Sequence, residues 1–178
     1  MIVDEAYIDF GGETALPLIN KYDNLVIVRT FSKSRSMAGL RIGYAISNSE
    51  LIKALNDVKY SYNSYTMNRP SLVLGVESIR DEAYFREKVG QIIATRERFV
   101  KEIAELGFTC LPSSANFVFA THESIPAKEI FAAAKENNIY VRYFDKPRID
   151  NYLRISIGTD AEMDAFVSFL SKYVKEYK

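Results

Sequence analysis

The chain has very little of the residue types that most often build metal centres and charge-relay sites. Among its 178 residues there is one cysteine, Cys110, one histidine, His122, and no tryptophan. A single cysteine excludes an internal disulfide and a thiolate metal cluster. A single histidine argues against a zinc cluster and against a histidine-based catalytic triad. If the protein is an enzyme, its chemistry must come from Lys, Asp, Tyr, Arg and Ser, with an organic cofactor supplying what these side chains lack.

An excess of charge of either sign is also missing. Lys+Arg and Asp+Glu each number 23, and the formal net charge at pH 7 is zero. This balance predicts neither nucleic acid nor an anionic membrane as a partner. No long apolar run resembles a signal peptide or a membrane span, so the cytoplasm is the expected compartment.

Strand and helix patterns alternate along the chain, which predicts α/β layers. The apolar segments "MIVDEAY", "LVIVRTF" and "RIGYAIS" predict three strands. A helix should follow, with Ser47 and Glu50 at capping-box spacing and with Leu51, Leu55 and Val58 on one face. These three strands look buried on both faces but have only one clear helix to cover them, so a preceding segment or another subunit is expected to supply the cover.

A polar and aromatic stretch, Tyr60–Ser71, predicts a loop or hinge between two bodies, followed by a helix from about Leu72. A strongly helical pattern from Phe85 to Leu106 ends at Gly107, a residue typical of helix ends.

Further strands are predicted at "FTCL", "ANFVFA", "IYVRYF" and "YLRISIG". Two more helices are predicted, one beginning near Pro126 and one with a capping box formed by Thr159 and Glu162. The second body is therefore expected to be a smaller α/β unit.

One candidate for chemistry is Lys33, in the stretch "TFSKSRSMAGLRIGYA". An amine at the carboxyl end of a strand faces the crevice where open α/β sheets bind ligands. A lysine whose pKa is lowered by burial or by a nearby cation can bond covalently to a carbonyl compound. On residue type alone, a solvated loop lysine is the commoner case.

Hydroxyls and a guanidinium flank this lysine. Thr30, Ser32 and Arg41 are consistent with a phosphate site, because such groups suit phosphate oxygens. The alternative is that Arg41 pairs with a surface carboxylate.

A carboxylate and a phenol lie three residues apart where the first strand ends. Asp4 could hold a proton on a heterocyclic nitrogen, and Tyr7 could donate to a phenolate oxygen. The commoner alternative is a helix cap and a packed tyrosine.

Two arginines lie within short apolar strands in the second body. Arg142 and Arg154 carry a desolvation cost unless they are paired, and bidentate binding of a carboxylate or phosphate would offset it. The alternative is an edge-strand arginine that faces water. Asn116 could orient a polar group of a ligand or complete a turn.

Taken in order, "VDEAYIDF", "TFSKSRSMAGLRIGY", "ANFVF", "VRYF" and "YLRISIG" resemble the fold-type I pyridoxal-phosphate aminotransferases, most closely those that act on histidinol phosphate. The resemblance extends over nearly the whole chain. It implies the cofactor pyridoxal 5'-phosphate, transfer of an amino group between histidinol phosphate and 2-oxoglutarate, and a homodimer.

The resemblance also implies a role for each candidate that lies near the cofactor. Lys33 matches the lysine that bonds covalently to the cofactor and moves protons during catalysis. Thr30, Ser32 and Arg41 match the positions that hold the cofactor phosphate.

The other matching positions concern the cofactor ring and the substrate. Asp4 matches the aspartate on the pyridinium nitrogen, and Tyr7 matches the tyrosine that hydrogen-bonds the ring oxygen. Arg154 matches an arginine that binds the substrate's carboxylate or phosphate, Arg142 a second substrate arginine, and Asn116 a substrate-facing asparagine.

The resemblance covers only the C-terminal half of these enzymes. It implies that residues 1–70 are the end of the cofactor-binding large domain and that residues 71–178 are the small domain. The glycine-rich phosphate loop and the aromatic that stacks on the cofactor are not found, so this chain alone is expected to be inactive. A threonine-phosphate decarboxylase-like lyase and a non-catalytic α/β interaction module stay open as alternatives.

Overall fold

The computed structural model describes residues 1–177, which form two compact units. The first unit is Met1–Val89, and the second begins at Gly90. Each unit contains one sheet together with helices, which confirms the predicted α/β class. The division after residue 70 that the sequence predicts is a different one, because it separates the large and small domains of the enzymes that the chain resembles. It stays a prediction.

A three-stranded sheet organises the first unit, in the order β1 (Ile2–Asp4), β2 (Val26–Thr30) and β3 (Gly43–Ile46). Strands β1 and β2 are parallel, whereas β2 and β3 are antiparallel. The third strand is shorter than predicted, because Arg41 adopts a left-handed conformation with φ of 55° and extended pairing starts only at Gly43.

The first helix, α1 (Ser49–Tyr62), starts one residue later than predicted, and the capping box proposed for Ser47 and Glu50 is wrong. Asn48 is the cap, because its side-chain oxygen accepts a hydrogen bond of 2.9 Å from the Leu51 amide. The Ser47 hydroxyl instead donates to the Leu25 carbonyl, which removes it from the helix end.

The predicted loop Tyr60–Ser71 is confirmed only in its middle half, because residues 60–62 and 69–71 are helical. Only residues 63–68 separate α1 from α2 (Arg69–Arg80). The side chain of Asn68 accepts a hydrogen bond of 2.8 Å from the Ser71 amide and so caps α2. The proline that suggested a loop lies in the first turn of α2, where a missing amide hydrogen is tolerated.

Helix α3 (Glu82–Ala104) follows at once, beginning in the first unit and continuing into the second. It ends as predicted, with Gly107 at φ of 86° donating its amide to the Ala104 carbonyl.

An antiparallel four-stranded sheet organises the second unit, in the order β4 (Phe108–Cys110), β5 (Phe117–His122), β7 (Leu153–Ser156) and β6 (Arg142–Tyr143). Strand β6 is much shorter than "IYVRYF" predicted. It lies at the edge, and its pairing with β7 stops at Leu153, where β7 begins.

Two helices complete this unit, α4 (Ala127–Glu136) and α5 (Asp160–Glu176). The capping box of Thr159 and Glu162 at the start of α5 is confirmed. The core of the unit consists of buried side chains from the sheet and from α3, α4 and α5, among them Phe99, Val118 and Leu170.

The first sheet is poorly covered. Within its three strands only Ile27 is buried, and no residue of α1 is buried. The helix face that was expected to cover the sheet leaves Leu55 46% and Val58 67% exposed. Within residues 1–177, no helix combines the length and the apolar character that crossing a bilayer requires.

Candidate active site

The candidate residues of the first unit gather at one edge of its sheet. Strands β1 and β2 are parallel, with Asp4 opposite Val28, so the carboxyl ends of both strands lie at the same edge. Thr30 ends β2 and pairs with Gly43, which places the start of β3 at that edge as well. Topology therefore brings together three segments that are distant in sequence.

Lys33 lies in a loop that closes on itself. The Ser36 amide donates to the Lys33 carbonyl at 3.1 Å, and the Met37 amide donates to the Phe31 carbonyl at 3.0 Å. The Lys33 Nζ atom lies 5.3 Å from the centre of the Tyr7 ring, a distance typical of a cation–π contact. The structure thus places the candidate amine and the candidate phenol next to each other.

The two hydroxyl groups beside Lys33 are hydrogen-bonded to each other. The Thr30 hydroxyl donates to the Ser32 Oγ atom at 2.8 Å, and it accepts from the Ser32 amide at 3.0 Å. The turn after β2 therefore presents a linked pair of hydroxyl groups at the sheet edge, and hydroxyl groups suit the oxygens of an anion.

Asp4 and Arg41 both lie at exposed positions. One carboxylate oxygen of Asp4 accepts a hydrogen bond of 2.9 Å from the Ala6 amide, which fixes the turn after β1. Arg41 donates to the Ala38 carbonyl at 2.9 Å and precedes β3. The structure thus gives each of them a local contact at the same edge of the sheet.

A buried ion pair beside this edge was missed by the sequence analysis. Glu5, which is 6% exposed, accepts hydrogen bonds of 2.9 and 2.8 Å from Arg29, and further ones from the Thr14 hydroxyl and the Ala15 amide. Burial is the largest single influence and raises the pKa of Glu5, but these hydrogen bonds together hold that pKa below its usual 4.5. The pair connects β2 with the loop after β1.

The second unit carries a pair of arginines directly opposite each other. Arg142 on β6 pairs in register with Arg154 on β7. Like charges at directly opposite positions repel, so an anion bound between them would relieve the repulsion. Arg142 is exposed, whereas Arg154 is half-buried with its guanidinium carbon 4.1 Å from the centre of the Phe117 ring.

One hydrogen-bond donor of Arg154 is unsatisfied within the described residues. Its Nε atom is buried and has no hydrogen-bond partner among the described residues. A buried polar group without a partner is rare and costly, which makes this nitrogen a candidate ligand contact.

Asn116 precedes Phe117, the residue whose ring Arg154 contacts. Its carbonyl accepts a hydrogen bond of 2.9 Å from the Ile157 amide, which extends the pairing of β5 with β7. On the preceding residue, the Ala115 carbonyl accepts a hydrogen bond of 2.8 Å from Arg96, a buried arginine that the sequence analysis did not single out. Its position on the core side of a helical pattern was the only signal that could have revealed it.

The structure therefore brings the nine predicted site residues together in two groups, one in each unit. The first group lies at the sheet edge around Lys33, and the second consists of Asn116 and the arginine pair. A further residue that the sequence analysis missed is Arg35, two positions after Lys33, whose only signal was its place beside the candidate lysine.

Comparisons with known proteins identify the family of the chain. The family model described as aminotransferase class I and II matches residues 1–170. The histidinol-phosphate aminotransferase of Lactococcus lactis subsp. lactis is 50% identical over 176 residues, which are 99% of this chain and 49% of the relative. The chain thus spans about half the length of the curated relatives it matches.

Solved structures of histidinol-phosphate aminotransferases also superpose on this chain. The histidinol-phosphate aminotransferase of Clostridium acetobutylicum superposes with a TM-score of 0.88 at 26% identity, covering 98% of this chain and 54% of that one. The histidinol-phosphate aminotransferase of Sinorhizobium meliloti, solved in complex with pyridoxal-5'-phosphate, gives a TM-score of 0.84 at 27% identity, covering 99% and 49%. These matches confirm the resemblance, and the chain belongs to the aminotransferase class I and II family.

Proposed function

We propose that this chain is part of a pyridoxal-phosphate-dependent aminotransferase that passes an amino group between histidinol phosphate and 2-oxoglutarate. The observation that carries the proposal is the convergence of an amine, a phenol, a carboxylate and two hydroxyls at one sheet edge. The names of the relatives support the choice of substrate.

The groups at the sheet edge suit this cofactor chemically. The two hydroxyls of Thr30 and Ser32 and the guanidinium of Arg41 are donors for a phosphate. The Asp4 carboxylate is an acceptor for a protonated ring nitrogen, and the Tyr7 phenol is a donor for a ring oxygen. When bound, pyridoxal phosphate supplies an electron sink for the charge that develops at the substrate Cα.

Each residue of this group has a separate task. Asp4 keeps the ring nitrogen protonated, because a nearby carboxylate favours the charged pyridinium. Lys33 would hold the cofactor covalently, and its amine would move the proton at the substrate Cα.

The arginine group binds the substrate. Arg154 and Arg142 hold an anionic end, carboxylate or phosphate, and Asn116 orients a polar group. The buried Nε atom of Arg154 supports this role, because an anionic ligand would give it the partner that no described residue provides.

The remaining parts of the proposal concern the whole enzyme. It is a cytoplasmic homodimer that acts on small molecules and binds neither nucleic acid nor membrane. Residues 1–70 belong to its large domain and residues 71–178 to its small domain. Because the chain spans about half the length of its relatives, it is inactive or nearly so by itself.

Trapping the cofactor tests the first step. The purified chain is mixed with pyridoxal phosphate and reduced with borohydride, and the adduct is located by peptide mass spectrometry. A single adduct on Lys33 that disappears in Lys33→Ala is the expected result. Labelling spread over many lysines and unchanged in Lys33→Ala would overturn the cofactor assignment.

A substrate panel tests the reaction. When the chain is supplemented with the other half of a relative, histidinol phosphate and 2-oxoglutarate should yield glutamate. Release of carbon dioxide from threonine phosphate would favour the lyase alternative, which has weaker support because the relatives are named as aminotransferases. No turnover of either substrate would favour a non-catalytic interaction module.

A further inference from the structure

The segment directly after Lys33 is held by a side chain that the proposed mechanism does not use. Arg35 donates from Nη1 to the carbonyl of Ser78 on α2 at 2.5 Å. Its guanidinium carbon lies 4.1 Å from the centre of the Phe85 ring on α3 and 5.5 Å from that of Phe31. Only 16% of this side chain is exposed, which is unusual for an arginine outside a known ligand site.

A second side-chain contact, made by Ser34, also holds this loop. Ser34 is buried, and its hydroxyl donates to the carboxylate of Asp9. The next residue but one, Ser36, has φ of 55°, a left-handed conformation that is unfavourable for a serine and persists only where the surroundings enforce it. The residues on both sides of Arg35 are thus constrained, and the constraint begins one residue after Lys33.

An arginine suits this place better than a lysine does. Ser78 lies in the last turn of α2, where carbonyl groups lack helical partners and a positive charge is favourable. A planar guanidinium can stack on an aromatic ring and donate a hydrogen bond at the same time, whereas an ammonium is a point charge. The Glu82 carboxylate, 3.7 Å away, adds a charge partner.

We propose that Arg35 is a positioning residue for Lys33, because it fixes the lysine-bearing loop to the end of α2 and the start of α3. This inference rests on the proposed function of Lys33 as the lysine that holds the cofactor. Arg35 touches no reacting atom, and it acts by restricting where the Lys33 backbone can lie.

A cavity beside Arg35 makes a chemical test possible. It has a volume of about 260 Å³ and is lined in part by Arg35, Leu74, Tyr84 and Phe85. Removal of the Arg35 side chain would join its volume to this cavity. A free guanidinium ion could then enter and take the place of the missing group between the ring of Phe85 and the carbonyl of Ser78.

The test compares the wild-type chain with Arg35→Ala, Arg35→Lys and the control Arg80→Ala, which removes a 70% exposed arginine from α2. After reduction with borohydride, the pyridoxyl label on Lys33 is measured relative to that on Lys53, whose side chain is 77% exposed. We expect this ratio to fall about tenfold in Arg35→Ala, because a misplaced reacting group loses effective concentration. A smaller fall is expected in Arg35→Lys, and none in Arg80→Ala.

Millimolar guanidinium chloride should restore the ratio in Arg35→Ala and leave the wild type unchanged. An unchanged ratio in a folded Arg35→Ala, or a lowered ratio that guanidinium does not restore, would overturn the inference. If Arg35→Ala does not fold, an unchanged ratio in Arg35→Lys would overturn it.

A failure of the proposed function looks different. In that case the wild-type chain itself shows no preference for Lys33. The inference is then tested without the cofactor, from the rate at which acetic anhydride modifies Lys33 relative to Lys53. A changed relative rate in Arg35→Ala supports the positioning role, and equal relative rates in both chains overturn it.

Discussion

The two units of the chain use similar local patterns but bury them to very different extents. Helices α1 and α5 are both amphipathic and both begin at a side-chain cap. Helix α5 buries Met163, Phe166 and Leu170, whereas α1 buries no residue. The second unit encloses fourteen buried residues in one cluster, while the first leaves Val58 and Ile79 more than half exposed. A local pattern thus specifies a helix, but only a tertiary neighbour decides whether its apolar face is covered.

The candidate site residues are also divided between the poorly covered first unit and the well-covered second unit. The predicted cofactor residues lie in the poorly covered unit, where a buried ion pair and a closed loop fix the sheet edge. The predicted substrate arginines lie in the well-covered unit, on strands that are backed by a closed core. We therefore expect the stability of the first unit to depend on its ion pair and closed loop, and the stability of the second unit to depend on its apolar core.

The largest effect should come from the core of the second unit. Phe99 is fully buried and stacks on Phe166 with ring centres 5.9 Å apart. We expect Phe99→Ala to lower the free energy of unfolding by about 3–5 kcal/mol, through lost burial and a residual cavity. Urea denaturation followed by hydrogen exchange in residues 90–177 measures the loss. A loss as small as that of an exposed substitution would show that this core is not what closes the unit.

The next effect concerns the ion pair of the first unit. We expect Glu5→Gln to cost about 2 kcal/mol, because Arg29 loses its charged acceptor in a site that is mostly closed to water. The lowered pKa of Glu5 means that its contribution is present above the usual pKa of 4.5 and is lost as the pH falls through the folded-state pKa.

Urea midpoints measured from neutral to acid pH check this prediction. The wild-type chain should lose stability in acid more steeply than Glu5→Gln, since the variant has no carboxylate to protonate at this position. Parallel curves would contradict the assigned role of the ion pair.

A smaller effect is expected at the helix caps. Thr159→Ala removes the capping box of α5 and should cost about 1 kcal/mol. Asn48→Ala removes the cap of α1 and should mainly reduce the helicity of that segment, because α1 has no buried residue to hold it in place. Circular dichroism and thermal unfolding separate the two outcomes. Equal losses of global stability would contradict the inferred difference in burial between α1 and α5.

The smallest effect should come from the exposed face of α1. Val58 is 67% exposed, so Val58→Ser should change the free energy of unfolding by less than about 0.5 kcal/mol. Denaturation in urea measures it at several protein concentrations. A loss that grows with protein concentration would mean that this face is covered by another chain in solution.

Much of the fold could be predicted from local pattern. The order of strands and helices, the Gly107 helix end and the Thr159 capping box all follow from periodicity and cap chemistry within a few neighbouring residues. The predictions failed for two reasons. The loop prediction for Tyr60–Ser71 overlooked the local Asn68 cap and the proline tolerated in the first turn of α2, whereas at the start of α1 a distant contact decides the outcome. The Ser47 hydroxyl is engaged by the Leu25 carbonyl, so Asn48 caps the helix instead.

The α/β class, the family motifs and the candidate residues could all be predicted without the fold, because each of them depends on short segments of the chain. The fold was needed to show that Asp4, Tyr7 and Lys33 share one sheet edge, that Glu5 pairs with Arg29, and that Arg142 lies opposite Arg154. These facts depend on strand pairing and register between segments far apart along the chain, and no local pattern encodes which strand a given strand will meet.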